Sequence, residues 1–495
     1  MRTPINHFGS ITILIAVTGL NMAAPAGILN VPADYATIQG AIDAAVDGDE
    51  VLIAPGTYDL TQELIVNNKA ITIRGSGGAD VTILQASTGL GLYGIMQLSN
   101  VESDTVIDGL AFADSSPLVR EWVVQFYGSP TIQNCAFYGN TKTALWGTPD
   151  PGTTITNCTF TNNHSATSRG GAILMTQDGA TISGCTFTNN SAFDRGGAIY
   201  LASGTILDCT FESNFTPQSA YGGGGAIYLY YGGVIDNCTF NNNVSAFEGG
   251  AIQANLATGT TTISNCDFTN NTAATEGGAV NGIGAAAAAL SLIDCTFSGN
   301  VATNGLGGGL ALDDGVVSGS TFTGNSALHG GGVHLEGAAS VDACTFSGNI
   351  ASGDGGAMYA SSGAPSISNC QATNNIATGT GGGLHIAAST TVTMNDSVLC
   401  MNTPDQFENV GILLGSNVLA CDQPLDPLGA CCLDAGGCVM TTATSCAAAG
   451  GAYAGDGVEC IDAMCPPACP ADNSGDGMID VTDLLDLLAA WGACP

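Results

Sequence analysis

Positive charge is nearly absent from this chain. Its 495 residues hold seven Lys and Arg against 42 Asp and Glu, a formal net charge of −35, and none of the basic residues follows Arg195. Phosphate binding needs clustered basic residues, so nucleic acid is excluded as a partner class. A surface this acidic repels itself unless salt or divalent cations screen it, which points to a saline or Ca²⁺-containing medium; simple solubility is the plainer use of the same charge. Long apolar runs are missing as well. The run at residues 11–20 is too short to span a bilayer, and with Arg2 before it and Ala24-Pro25-Ala26 after it, residues 1–26 read as a signal peptide. An exported, soluble protein without a transmembrane segment is expected.

What the chain has in quantity is Gly, 70 residues, and Cys, 19 residues. Between Arg169 and Leu384 it writes Gly-Gly, then Ala or Gly, then an aliphatic, nine times over. Between these lies a Cys-x-Phe-x-x-Asn box: Cys135-Phe137-Asn140, Cys158-Phe160-Asn163, Cys185-Phe187-Asn190, and onward through Cys209, Cys238, Cys266, Cys295, Ser320, Cys344 and the degenerate Cys370-Ala372-Asn375. Successive boxes are 23 to 29 residues apart, too short for a propeller blade and right for one coil of a β-solenoid. Cys and Phe, two apart, face the core, as do the aliphatic after Gly-Gly and the residue two beyond it, such as Ile199 and Leu201. The Asn falls where the strand must turn; it tolerates the left-handed conformation, and its amide can bond the Asn one coil away in an internal ladder. The stacked Cys column reads as buried thiols packing as small hydrophobes, with disulfides between neighbouring coils as the alternative in an oxidising compartment.

The alternation of Phe-x-x-Asn with Gly-Gly-Ala-Ile resembles the repeat of the polymorphic outer membrane proteins, within the broader right-handed parallel β-helix class that includes pectate lyases. The resemblance covers about residues 130–390. It implies an all-β, right-handed parallel β-helix of about 14 coils over residues 27–425. The chain beyond Asp422 is Cys- and Gly-rich, unlike the membrane barrel those surface proteins carry. At the other end, Ile38, Ala41, Ile42, Ala45 and Val46 at helical spacing, with Asp34 as N-cap, predict an amphipathic helix that covers the open end of the solenoid. This opening also looks like the entry segment of pectate-lyase-like proteins.

Residues 426–466 hold Cys431, Cys432, Cys438, Cys446, Cys460 and Cys465. In an exported chain without Cys-x-x-Cys they read as a disulfide module, with the pairing open. Residues 472–483 then fit a twelve-residue calcium loop. Asp472, Ser474 and Asp476 supply oxygens at positions 1, 3 and 5, Gly477 turns the chain, Met478 offers its carbonyl, and Asp480 acts directly or through water. Asp483 closes the loop where an EF-hand carries Glu, and the helix signal Leu484 to Trp491 comes next. This segment is similar to the dockerin type I repeat, of which residues 467–495 hold one copy where two are usual; the resemblance implies Ca²⁺ as cofactor and a cohesin-like protein as partner. Cys469 and Cys494 bracket it, and a disulfide between them would staple a module too small for much core.

Candidate chemistry on the solenoid is sparse. Arg169 and Arg195 occupy the slot immediately before Gly-Gly in consecutive coils, beside Asp194. They form the best basic site available to a uronate lyase, which must neutralise a carboxylate and remove a proton. Glu248 and Glu276 take the same slot farther along, about one coil apart, the separation a retaining glycosidase needs. The Gly-His-Gly and Arg-x-Lys motifs of polygalacturonases are absent. A third pattern suits binding: the outward residue after the core aliphatic reads Leu174, Tyr200, Tyr228, Gln253, Asn281, Ala311, His334, Tyr359, His385, a lengthwise stripe for a glycan; exposed aromatics also simply suit strands. His334 and His385, two coils apart, are too far apart to share a metal. The sequence therefore predicts a secreted or cell-surface scaffold, more binder than catalyst, that holds polysaccharide through Tyr200, Tyr228, Gln253, Tyr359, Arg169 and Arg195 and attaches through its calcium tail. The alternative is a polysaccharide lyase or glycoside hydrolase. A deep charged cleft would favour chemistry, and a flat stripe adhesion.

Overall fold

Stacked Phe rings set the geometry of the whole molecule. Ten of them, from Phe112 through Phe240 to Phe346, form one buried column with neighbouring ring centroids 4.5 to 4.9 Å apart and ring planes within 3 to 12°. Rings so nearly parallel require coils that scarcely rotate on one another, the flat sheet that side-chain stacking can hold against the usual twist. Each offset aromatic pair adds about 0.5–1.5 kcal/mol beyond the area it buries.

The computed structural model describes residues 26–86, 94–113, 122–217, 222–255, 259–282, 290–409 and 411–416, with shorter stretches to residue 456. Its solenoid is built from parallel strands in three sheets. The Phe strands make a 15-stranded sheet, the strands after Gly-Gly belong to a 28-stranded sheet, and two-residue strands from His164–Ser165 to Ile376–Ala377 make a nine-stranded third. The 28-stranded sheet runs as two adjacent ladders that share the long strands Ile173–Ser183 and Ile199–Leu207.

The Asn residues form a continuous internal ladder. Each side-chain Nδ2 donates to Oδ1 of the Asn one coil on, from Asn140 to Asn163 at 2.8 Å through to Asn375 to Asn402 at 2.9 Å, where Gln406 closes the series. The same Nδ2 also bonds a Phe carbonyl one coil back in most rungs, so each amide ties three coils together. The left-handed turn belongs one position earlier than the spacing of the boxes predicts: Asn162, Asn189, Asn242 and Asn270 carry φ of 53 to 55°, and the ladder Asn comes directly after each. A ladder Asn is needed for its amide, while its neighbour bends the backbone. Nine cysteines of the column, from Cys135 to Cys370, are free and buried. Ser320 takes the column position at Cys295 and accepts its backbone N–H at 3.1 Å.

The N-terminal helix α1 spans Ile38–Ala44 and packs against the strands Ile28–Val31, Glu50–Ile53 and Leu64–Asn67. Its N-cap is Thr37, whose hydroxyl accepts from Gly40 N at 3.1 Å. Asp34 is too far upstream; it closes the preceding turn by accepting from Asn30 N at 3.0 Å and Nδ2 at 2.7 Å. Val46 lies beyond the helix and is exposed. Lys69 donates to the carbonyls of Ile42, Asp43 and Ala45, satisfying the end of the helix where a cation is favoured.

Parallel pairing ends at Leu419–Cys421, and the strands Gly429–Cys432, Cys438–Thr441 and Ala452–Asp456 form an antiparallel sheet with a Cys431–Cys446 disulfide. Residues 1–25 of the expected signal peptide at 1–26, Cys460, Cys465, the expected calcium loop at 472–483 and the Cys469/Cys494 pair lie outside the described residues. No helix among the described residues is long and apolar enough to cross a membrane.

Candidate functional site

Three parallel rows, each advancing one residue per coil, make a trough on the outward face of the sheet that comes after Gly-Gly. The middle row is the outward stripe, in unbroken register from Trp146 and Leu174 through Tyr200, Tyr228, Gln253, Asn281, Ala311, His334 and Tyr359 to His385. One flanking row is the slot before Gly-Gly, whose backbone links run Arg169, Arg195, Gly223, Glu248, Glu276, Leu306, His329, Asp354, Thr380. The other lies two residues past the stripe and includes Ala202, Tyr230, Asn255, Asp313, Glu336 and Ser361.

The stripe points away from the core, yet it is sunken and not the flat exposed track expected from period-2 alternation. Tyr200 is 5% exposed, Tyr228 6% and Gln253 5%. For the two tyrosines the reason is the reach of the slot before Gly-Gly, which leans over the stripe residue of the next coil. The Arg169 guanidinium lies 5.1 Å from the Tyr200 ring centroid and Arg195 lies 5.2 Å from that of Tyr228, cation–π contacts that roof an aromatic pair stacked at 5.4 Å. Asp194 stands 3.9 Å from Arg169 and 4.0 Å from Arg195. Over this end opens a cavity of about 560 Å³, lined by Arg169, Phe193, Asp194, Tyr200, Tyr230 and Tyr231 among others. Phe193 and Tyr231 are 43% and 45% exposed, so aromatic surface is available there to a ligand.

Farther along, the trough turns acidic. Asn281 Nδ2 donates to Glu248 Oε2 at 3.0 Å and to Gln253 Oε1 at 3.1 Å. Burial, and then the charge of Glu276, push the Glu248 carboxyl up to about 7 against the lowering pull of Asn281. Glu276 is raised by burial and by Glu336, and Asp313 by burial, Asp314 and Glu336. At the far end His334 is wholly buried; its Nε2 meets Ser361 Oγ at 2.8 Å and Glu336 Oε1 at 3.6 Å, and burial followed by the charge of His329 lowers it to about 4. It is neutral at pH 7. The Tyr359 ring separates His334 from His385, with centroids at 5.8 and 5.3 Å, and His329 stacks on the same tyrosine at 4.9 Å. Among the described residues no group of three His, Cys, Asp or Glu is arranged to hold a metal ion.

A family model described as a right handed beta helix region matches residues 94–268 and 250–418. The chain belongs to this family. No curated protein matches this β-helix protein. Among solved structures it is similar to the catalytic unit of a thermostable GH87 α-1,3-glucanase from Streptomyces thermodiastaticus strain HF3-3, at 18% identity over 81% of this chain and 70% of that chain, TM-score 0.44. It is also similar to the alginate lyase AlyF-OU02 in complex with G6, at 14% identity over 89% and 93% of the two chains, TM-score 0.42. A third is the A-module of mannuronan C-5 epimerase AlgE4 from Azotobacter vinelandii, at 11% identity over 81% and 96%, TM-score 0.35.

The β-helix brings Arg169 to Tyr200 and Arg195 to Tyr228, as pairs one coil out of step. It keeps Tyr359 apart from them at the histidine end. Sequence reasoning passed over Tyr230, Asp313, Glu336 and Ser361. Their signal was the repeat itself: Glu336 stands two residues past stripe residue His334, just as Asp313 stands two past Ala311.

Proposed function

We propose that this is an exported β-helix protein that binds polysaccharide along the trough. The observation that carries the reading is the cavity where Arg169 overlies Tyr200 and where Phe193 and Tyr231 stay exposed. Sugars present apolar C–H faces to aromatic rings and hydroxyl or acidic groups to guanidinium forks, and this end of the trough offers both within one opening. Calorimetry of the full chain against a panel of neutral and acidic glycans tests it. Arg169→Ala and Tyr231→Ala, both at partly exposed positions, are expected to weaken binding about tenfold each. A panel without a single binder, or binding indifferent to both changes, overturns the reading.

Residues 467–495 complete it as an attachment module. Asp472, Ser474, Asp476, Met478, Asp480 and Asp483 would hold Ca²⁺, whose charge orders the loop and offsets local repulsion, and a cohesin-like protein is the partner proposed for it. Titrating the full chain with Ca²⁺ should give a heat that Asp472→Asn with Asp476→Asn abolishes; an unchanged heat removes the module from the proposal.

One observation favours a second reading, a glycoside hydrolase or lyase. Glu248 is held near the pH at which a carboxyl can both give and take a proton, beside a second carboxyl in the same slot. Glycosidases need such a pair. Release of reducing ends from any bound glycan, lost in Glu248→Gln and in Glu276→Gln, would establish it; no release at any pH from 4 to 9 would leave the trough a binding surface.

A further inference from the structure

Charge is sorted along the trough. The row before Gly-Gly begins with Arg169 and Arg195, passes an uncharged coil at Gly223, and continues with Glu248 and Glu276, which Glu336 faces from the opposite row. Parallel strands about 4.8 Å apart put Arg195 and Glu248 about 10 Å from each other. That exceeds the distance over which physiological salt screens exposed charges, so each end acts on a ligand with its own sign.

The two ends make opposite demands. Arg169 has 43% of its side chain exposed and stands 3.9 Å from Asp194, beyond hydrogen-bond distance; Nη1 donates to the Tyr200 hydroxyl at 3.4 Å, and the other donors of the fork can meet an incoming carboxylate or sulfate. At the acidic end the carboxyls are half-buried and already crowd one another, which holds Glu248 and Glu276 above their ordinary range. A polymer with an acid on every sugar would have to bring another carboxylate into that crowd, where like charges are poorly screened. An uncharged sugar instead offers hydroxyls that hydrogen-bond to the partly exposed Glu248 and Glu276.

We infer that the glycan fitted by this trough is a heteropolysaccharide with isolated anionic residues in an otherwise uncharged chain, its acid held at Arg169 and its neutral sugars lying over Glu248 and Glu276. The inference rests on the trough being a glycan-binding surface and adds which glycans it takes and in what register.

The test uses the full chain in calorimetric titrations at pH 8 with gellan and hyaluronan as sparsely acidic probes, polygalacturonate and alginate as polyuronates, carboxyl-reduced gellan as the neutral form, and quaternised chitosan as a cationic chain. Gellan or hyaluronan should bind at least about tenfold more tightly than either polyuronate and than reduced gellan. Arg169→Gln should bring gellan down to the affinity of its reduced form while leaving the reduced form unchanged. Glu248→Gln with Glu276→Gln should narrow the gap by admitting polyuronates. Polyuronate binding equal to gellan, reduced gellan binding as tightly as gellan, or a preference for quaternised chitosan overturns the inference and leaves the trough a glycan site of another specificity. Failure of every probe to bind takes the trough reading down with it.

Discussion

Inside the solenoid each column repeats one residue, whereas on the trough the residue changes from coil to coil. The Phe column is uniform over ten coils, and the Asn ladder runs unbroken from Asn140 to Asn402. The row before Gly-Gly, on the same coils, reads Arg, Arg, Gly, Glu, Glu, Leu, His, Asp, Thr. Both are stacked at the same spacing by the same backbone. Uniformity inside comes from packing: a ring stacks best on an identical ring, and a ladder amide needs another amide as donor and acceptor above and below. Freedom outside means that whatever distinguishes this solenoid from a bare repeat is written in the rows that flank the stripe.

The comparison breaks most visibly if the columns are not what hold the coils. Phe240 lies fully buried between Phe211 and Phe268, at 4.8 Å from each. Phe240→Ala should destabilise the solenoid by about 3–5 kcal/mol, read as a shift of the urea midpoint, because the rings above and below keep the cavity from closing. Asn243→Ala comes next. It strips acceptors from Asn214 N and Nδ2 and a donor from Phe211 O, each a buried group whose orphaning costs about 1–3 kcal/mol, less what relaxation recovers. Neither variant touches the trough, so glycan affinity measured on the folded fraction should be unchanged. A loss smaller than about 1 kcal/mol in both would mean that the ladders of backbone hydrogen bonds, not the columns, carry the stack.

The same contrast explains what was legible in the sequence. Cys, Phe and Asn occupy positions whose direction is set by strand alternation alone, so the core could be read from spacing. The stripe could be placed too, and its register is unbroken. Its burial could not, because the covering group comes from another coil: Arg169 closes over Tyr200, 31 residues away, through a side chain whose reach no local pattern encodes. At the helix the difficulty was of another kind. Asp34 and Thr37 are both good caps three residues apart, and the choice of Thr37 depends on Asp34 being engaged by Asn30 in the turn before it. The left-handed position was misjudged by one residue because Asn stands at both places in the Asn-Asn pairs, and only the backbone separates the amide that builds the ladder from the one that bends the chain.

A mid-sized effect tests the acidic half of the trough. The folded-state pKa of Glu248 lies above its unfolded value, so between about 4.5 and 7 the folded chain binds more protons than the unfolded one, and stability falls as pH rises through that window. Glu248→Gln removes the titration. It should leave stability unchanged below pH 4.5 and raise it above pH 7 by about 1 kcal/mol, a figure reduced for the screening of a half-exposed group. An equal change at both pH values would place the effect in packing and make the trough behave like a column.

The smallest expected stability effect is also the sharpest divide between the two regions. Arg169 contacts a ring at 5.1 Å and a carboxylate at 3.9 Å, both at a partly exposed position. Exposed ion pairs and exposed cation–π contacts each amount to about 0.5–1 kcal/mol or less, partly returned by the freed side chain, so Arg169→Ala should shift stability by about 0.5 kcal/mol. Its effect on ligand is of another order, since removing a guanidinium that holds an anionic sugar removes a charge-assisted pair of hydrogen bonds. Stability nearly untouched while affinity falls about tenfold is the signature of a residue kept for its partner. Should Arg169→Ala instead unfold the chain as readily as Phe240→Ala, the arginines are the outer fastening of the coils, and the variety along their row reflects only what each neighbouring ring will accept.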